Sequence, residues 1–111
     1  MSAEHRAAIA EVLVRTNVPL LEDDPYGELR FEGESLAPIA AQPGMAERCV
    51  LLNSASKVMA PGVRIGWLRA EGQILRSLEI AKQGGGLQSA VSDQLAHDLY
   101  LEAYDLAAHT A

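Results

Sequence analysis

The stretch NSASKVMAPGVRIGW, residues 53–67, links two apolar runs through a turn of small and hydroxyl residues. The turn carries Lys57, and Arg64 stands where the second apolar run begins. A partly buried lysine ammonium loses its proton more easily and becomes a nucleophile, whereas the arginine guanidinium is a planar fork that suits phosphate. The stretch therefore predicts a nucleophilic lysine beside a phosphate-binding arginine, held by a rigid turn.

Helical and extended patterns alternate on both sides of this stretch. Apolar residues recur at helical spacing near both ends of the chain, and short apolar runs bounded by turn residues predict buried strands between them. The predicted elements are a helix over 3–16, strands over 19–23, 48–53 and 63–69, helices over 71–83 and 87–106, and a short hairpin around 31–34. Asn17 is expected to end the first helix, and Phe31 and Trp67 are expected in the core.

The first helix, the tight turn after it and the buried strand over 19–23 are half of a βαβ unit, which predicts an α/β fold with a parallel sheet. Three short strands are few for a sheet that needs helices on both of its faces. The first helix also has to pack on a sheet that follows it in the chain. We therefore expect a piece of a larger α/β domain, or an unusually small one.

Composition excludes several classes of function. The 111 residues carry a net charge of −6, which argues against a broad nucleic-acid surface or an anionic-membrane surface. No apolar run reaches membrane-spanning length, and the three histidines lack ligand spacing, so neither a membrane segment nor a metal site is expected. The single cysteine, Cys49, fits a reducing cytoplasm and predicts a buried structural thiol.

Three segments together resemble one protein family. They are LEDDPYGEL (residues 21–29), SASKVMAPGVRIGW (54–67) and AKQ (81–83), in this order. They resemble fold-type-I pyridoxal-phosphate aminotransferases of the class I/II group, of the 2-aminoadipate and valine–pyruvate transaminase type, and the aminotransferase-like domain of GntR/MocR transcription regulators. The resemblance implies that residues 1–111 form a central segment of a three-layer α/β/α large domain, with a mostly parallel sheet and helices on its faces. The N-terminal part of that domain and the C-terminal small domain are expected to lie outside this chain.

The resemblance assigns the chemistry to three residues. Lys57 would hold pyridoxal phosphate as a Schiff base and carry the proton between the substrate α-carbon and the cofactor. Asp23 would pair with the pyridine nitrogen and keep it protonated, which makes the ring an electron sink. Tyr26 would donate a hydrogen bond to the O3′ atom of the cofactor.

The phosphate contacts are also implied by the resemblance. Arg64 would bind the phosphate with its guanidinium fork and Ser54 with its hydroxyl, and Ser56 is a further candidate for the same contact. The chain departs from the family pattern at Ala55, where an aromatic residue is usual, and at Val58, where threonine is frequent. Neither departure removes a group that the cofactor needs.

Each of these residues also has a plainer interpretation. Lys57 and Arg64 could be surface charges, Tyr26 a packing residue, and Asp23 or Asp24 the cap of a turn. Asp23 is preferred to Asp24 because only Asp23 stands three residues before Tyr26. Ligands of open α/β sheets also bind at the carboxyl ends of the strands, where this acid is expected.

Three functions stay open on the sequence. The first is pyridoxal-phosphate-dependent amino transfer between an amino acid and a 2-oxo acid, in a homodimer, with this chain inactive or weak by itself. The second is a cofactor-binding sensor domain of a MocR-type regulator. The third is a truncated remnant that binds no cofactor. The sequence does not identify which amino acid would be the substrate.

Overall fold

A computed structural model describes residues 1–110 of the chain. Helix α1 covers Ala3–Thr16, and strands β1, β2 and β3 cover Leu20–Asp23, Cys49–Ser54 and Gly66–Arg69. Helices α2, α3, α4 and α5 cover Ala55–Val58, Gly72–Gly85, Val91–Ala103 and Leu106–Thr110, and 3-10 turns cover Ile39–Ala41 and Pro61–Val63. The α/β class predicted from the sequence is confirmed.

The three strands form one sheet in the order β1-β2-β3. Strand β1 runs parallel to β2, with Asp23 opposite Leu52, and β3 runs antiparallel to β2, with Gly66 opposite Ser54. The described part of the sheet is therefore mixed, with one parallel and one antiparallel pair. Because β3 runs in the opposite direction, its first residue lies at the sheet edge where β1 and β2 end.

Helix α1 and the segment around the first 3-10 turn cover one face of the sheet. The buried cluster consists of Ala10, Ile39, Ala40, Met45 and Cys49. The predicted burial of the cysteine is confirmed, since only 3 % of its surface is exposed. This side of the sheet is the hydrophobic core of the chain.

Helix α1 is capped at both ends, by the Ser2 side chain at its start and by the Asn17 backbone at its end. The Ser2 hydroxyl accepts a hydrogen bond from the His5 backbone N–H, as an N-cap does. Asn17 takes a left-handed backbone conformation with φ 55° and ends the helix, as predicted. The Asn17 side-chain oxygen then accepts a hydrogen bond from Arg48, at 3.0 Å, which ties the helix end to the residue before β2.

Several local predictions were wrong. Residues 63–65 are not part of β3, because Pro61–Val63 form a 3-10 turn and Arg64 is left-handed with φ 52°. The predicted hairpin around 31–34 does not form, and Phe31 is fully exposed instead of buried. Trp67, at 44 % exposure, is also outside the core.

The last predicted helix, 87–106, is shorter and interrupted. Helix α4 begins at Val91 and ends where Tyr104 becomes extended, before the short α5. Among residues 1–110 no helix is long and apolar enough to cross a membrane. The same residues contain no group of three or more histidine, cysteine or acidic side chains that could hold a metal ion.

Candidate functional site

The predicted site residues collect at one edge of the sheet. Asp23 is the last residue of β1, Ser54 is the last residue of β2, and Arg64 stands two residues before β3. Asp23 is paired with Leu52, and Ser54 lies two residues beyond Leu52, so Asp23 and Ser54 project from the same face of the sheet. The topology thus brings together segments that are far apart in the sequence.

Lys57 lies on a single helical turn that is fixed at its start. The Ser54 hydroxyl accepts a hydrogen bond from the Ser56 N–H at 3.2 Å and donates one to the Ile65 carbonyl at 3.3 Å. The Ala55 N–H donates to the same carbonyl at 3.0 Å. The lysine therefore projects from a short, anchored turn between β2 and β3.

The burial pattern of this turn explains why the lysine faces outward. Ala55 is fully buried and Val58 is 5 % exposed, whereas Lys57 between them is exposed. The two apolar residues hold the turn against the protein and leave the amine at the surface. The hydroxyl of Ser54 already serves as the helix cap, so its predicted contact with a phosphate stays a prediction.

The Tyr26 ring lies close to the Lys57 side chain. The lysine Nζ lies 5.6 Å from the centroid of the Tyr26 ring, which is within the range of a cation–π interaction. Tyr26 belongs to the turn after β1, and its carbonyl accepts a hydrogen bond from the Leu29 N–H at 2.9 Å. The structure therefore places these two predicted residues side by side.

Arg64 completes the positively charged part of the site. Its Nη1 donates a hydrogen bond to the Ser56 hydroxyl at 3.3 Å and lies 3.5 Å from the Pro61 carbonyl. A left-handed backbone at a residue other than glycine is uncommon and directs this side chain back toward α2. A guanidinium beside a hydroxyl is a suitable partner for a phosphate.

The two acids at the end of β1, Asp23 and Asp24, have different surroundings. The Asp24 carboxylate folds over Gly27, where an added Cβ would collide with it. Asp23 is exposed on the sheet face that it shares with Ser54. This difference supports the preference for Asp23 as the acid of the site, and the role itself stays a prediction.

Sequence reasoning missed Glu22, the residue before the predicted acid. The Glu22 carboxylate accepts hydrogen bonds from the backbone N–H groups of Ile39 and Ala40, at 2.9 and 2.8 Å. A single glutamate in an apolar strand matches no motif. The only signal was an acidic residue at an inward strand position, followed later by a turn that begins with Pro38, which has no side-chain oxygen to cap it.

The donor groups at this edge match the chemistry of pyridoxal phosphate. An amine can condense with its aldehyde, a guanidinium and hydroxyls can bind its phosphate, and a carboxylate and a phenol can bind its ring. The candidate residues that supply these groups are Asp23, Tyr26, Ser54, Ser56, Lys57 and Arg64. The residues that are present therefore fit this cofactor.

Comparisons with known proteins give a consistent result. The family described as aminotransferase class I and II matches residues 1–104. Aromatic-amino-acid aminotransferase 1 of Thermococcus litoralis is 38 % identical over 98 % of this chain. The solved kynurenine aminotransferase of Pyrococcus horikoshii, in complex with PMP, superposes on 99 % of the chain with a TM-score of 0.88 and 35 % identity.

A relative of another kind also matches. The HTH-type transcriptional regulator YisV of Bacillus subtilis is 31 % identical over 92 % of the chain. In each case the chain spans only about a quarter of the relative's length: 26 % of the Thermococcus protein, 27 % of the Pyrococcus chain and 22 % of YisV. The similarity thus covers nearly all of this chain and a limited part of each relative.

Proposed function

We propose, from the premise that this chain belongs to the class I and II aminotransferases, that it carries the central cofactor-binding segment of a pyridoxal-phosphate-dependent aminotransferase. The reaction would move an amino group between an amino acid and a 2-oxo acid. The observation that carries the proposal is the convergence of Lys57, Tyr26 and Arg64 at the sheet edge where β1 ends in Asp23. The names of the aminotransferase relatives support it.

Lys57 and Asp23 would perform the central chemical tasks. Pyridoxal phosphate, when bound, supplies an electron sink for the electrons released at the substrate α-carbon. Lys57 would bind its aldehyde carbon and then move the proton at the substrate α-carbon. Asp23 would hold the proton on the pyridine nitrogen, which keeps that sink effective.

The remaining residues would bind and orient the cofactor. Arg64 would bind the phosphate, with Ser56 beside it and Ser54 at the start of the same turn. Tyr26 would donate a hydrogen bond from its phenolic O–H to the ring oxygen O3′ and so help to orient the cofactor. Since the centroid of the Tyr26 ring lies 5.6 Å from the Lys57 Nζ, the ring would also restrict the directions in which the amine points.

We also propose that the segment needs further groups for turnover. We expect the rest of the large domain, a C-terminal small domain and a second subunit to provide them, so this chain alone should be weak or inactive. A transamination assay with the purified chain and added cofactor measures this, and rapid turnover would contradict it. The cytoplasmic location stays a prediction.

The direct test of the proposal is covalent capture of the cofactor. Adding pyridoxal phosphate to the chain should produce a visible absorption band, and borohydride reduction should fix the cofactor's mass to the peptide that contains Lys57. Lys57→Ala should abolish both signals.

Lys82→Ala is the matched control, because Lys82 is the other lysine of the chain and is exposed on α3. It should retain the band and the labelled Lys57 peptide. Labelling of Lys82, or none at all, would refute the proposal.

The second candidate is a sensor domain, which the match to YisV favours. A sensor would bind the cofactor through the same residues and perform little chemistry. Adding a mixture of amino acids to the cofactor-loaded chain tests the sensor. Release of 2-oxo acid, even when slow and limited to one equivalent per bound cofactor, supports the transaminase and contradicts the sensor, whereas a stable band with no release is expected of a sensor and equally of a transaminase segment that lacks its other groups.

A further inference from the structure

Glu22 stands one residue before the proposed ring-binding acid, and its side chain projects from the opposite face of the strand. Each of its carboxylate oxygens accepts one backbone hydrogen bond, Oε1 from Ile39 and Oε2 from Ala40, at 2.9 and 2.8 Å. Hydrogen bonds to an ionised carboxylate are stronger than those between neutral groups. The side chain thus fixes two consecutive peptide groups to the middle of β1.

The residue before these two amides offers no side-chain acceptor for them. The 3-10 turn over Ile39–Ala41 begins after Pro38, which makes no side-chain cap hydrogen bond. The first N–H groups of a helical turn need an acceptor, and the Glu22 carboxylate supplies it from another element. The contact therefore replaces an N-cap and joins the turn to the strand at the same time.

A second contact fixes the same segment from helix α1. Arg6 Nη1 donates a hydrogen bond to the Ala37 carbonyl at 2.8 Å. Residues 37–40 are thus attached to α1 through a carbonyl and to β1 through two amides. These hydrogen bonds hold residues 37–40 against the inner face of β1.

Glu22 lies at the edge of the core, since its carboxylate accepts the amides of two buried residues. The pKa of the nearby Cys49 thiol is raised, first by burial and then by the negative charge of Glu22. Ile39 and Ala40, the residues that Glu22 binds, are both 7 % exposed. The carboxylate is therefore partly shielded and geometrically constrained.

We propose that Glu22 is a positioning residue for the cofactor site, because its grip on residues 37–40 fixes the pleat of β1 and so directs Asp23 to the opposite face. Successive side chains of a strand point to opposite faces, so a rotation of the strand at Glu22 turns Asp23 as well. Strand β1 has four residues and, among residues 1–110, pairs only with β2. The inference rests on the proposed function, because it assumes that Asp23 binds the pyridine nitrogen of the cofactor.

The experiment compares three variants of the full chain. Glu22→Gln keeps the size of the side chain, but its amide nitrogen is a donor and cannot accept the second N–H. Glu22→Asp keeps both acceptors on a shorter arm. Glu34→Gln neutralises an exposed carboxylate on the segment between β1 and the turn and serves as the control.

The first readout is NMR without cofactor. In Glu22→Gln the amides of Ile39 and Ala40 should exchange with solvent at least ten-fold faster, and the side-chain carboxyl resonance of Asp23 should move. Glu22→Asp should lie between that variant and the unmodified chain, and Glu34→Gln should match the unmodified chain. Unchanged amide exchange, or an Asp23 resonance that does not move, would overturn the inference.

The second readout uses added pyridoxal phosphate and follows the visible band as the pH is varied. Glu22→Gln should shift the midpoint of the band's pH dependence in the same direction as Asp23→Asn, but by less. A normal midpoint together with faster amide exchange would show that Glu22 is only structural, which overturns the inference. If the unmodified chain gives no band, the proposed function fails, and the Asp23 resonance still decides whether Glu22 positions that acid.

Discussion

The chain forms helices of similar length before and after Gly72, but these helices are buried to very different extents. Helices α1 and α3 both have 14 residues, yet α1 packs on the core through Ala10 and α3 contains no buried residue. Among residues 1–106 and 108–110, every buried hydrophobic residue lies at or before Ala70. An apolar helical pattern thus predicts a helix and its apolar face. It does not predict whether that face packs against residues of the same chain.

Helix α4 shows the same point most clearly. Val91, Leu95 and Leu99 recur at four-residue steps, as they would on the inner face of a packed helix. They are nevertheless 60, 56 and 55 % exposed. We therefore expect mutations to be costly in the first part of the chain and well tolerated in the second.

The largest effect is expected at Met45, which has no exposed surface. Met45→Ala should lower the free energy of unfolding by about 2–5 kcal/mol, because it removes buried contacts and leaves a cavity. Leu95→Ala, in the exposed stripe of α4, should change it by only about 0.5 kcal/mol. Urea denaturation of both variants measures the contrast, and equal losses would remove the distinction between the two parts.

A smaller loss is expected at Gly44, which precedes Met45. Its φ is +78°, and an added Cβ would lie 3.0 Å from the Cγ2 atom of Val14 in α1. Gly44→Ala should lower the free energy of unfolding by about 1–2 kcal/mol from the left-handed backbone alone. The same denaturation measurement tests this, and an unchanged midpoint would show that the segment shifts without cost.

Gly84 should respond in the opposite direction. It lies inside α3, and an added Cβ would meet no atom within 4 Å. Gly84→Ala should stabilise α3 by about 0.5–1 kcal/mol, since alanine loses less backbone entropy in a helix. An increase in far-ultraviolet helical signal and in the unfolding midpoint would be the result, whereas a loss would reveal a close contact at this position.

The smallest effect concerns the pH dependence of stability in the packed part. Burial, aided by the charge of Glu22, raises the pKa of the Cys49 thiol above its ordinary value of 9.0. The unfolded chain therefore releases this proton first, and the thiol's contribution to stability is complete below about pH 9 and is lost as the pH rises toward the raised pKa. Cys49→Ala should lack this component, so its stability should fall less steeply above pH 9. Parallel curves would rule out this linkage.

Most of the fold could be predicted from the sequence where local signals agree. The Ser2 and Asn17 caps, the apolar runs of β1 and β2, and the helical spacing in α1 and α3 are all local features, and the structure contains each of them. The order of acid, tyrosine, lysine and arginine at the sheet edge was also readable, because strand ends and turns determine where such residues lie.

The features that could not be predicted depend on distant contacts. Arg64 is left-handed although arginine has no preference for that conformation, so the late start of β3 at Gly66 left no sign in the sequence. The carboxylate of Glu22 finds its amides 17 and 18 residues away. Phe31 has the side chain of a core residue, but it is fully exposed. Only tertiary structure decides these points.

The mixed sheet has a consequence for the way in which the site is assembled during folding. Lys57 and Arg64 lie in one connection between antiparallel strands, so closing a short loop is enough to bring them together. Asp23 comes to the same edge of the sheet only when β1 pairs in parallel with β2, and the first residues of these two strands are separated by 29 positions in the chain. The basic part of the site can therefore form early through local pairing, whereas the acid arrives with the slower long-range step.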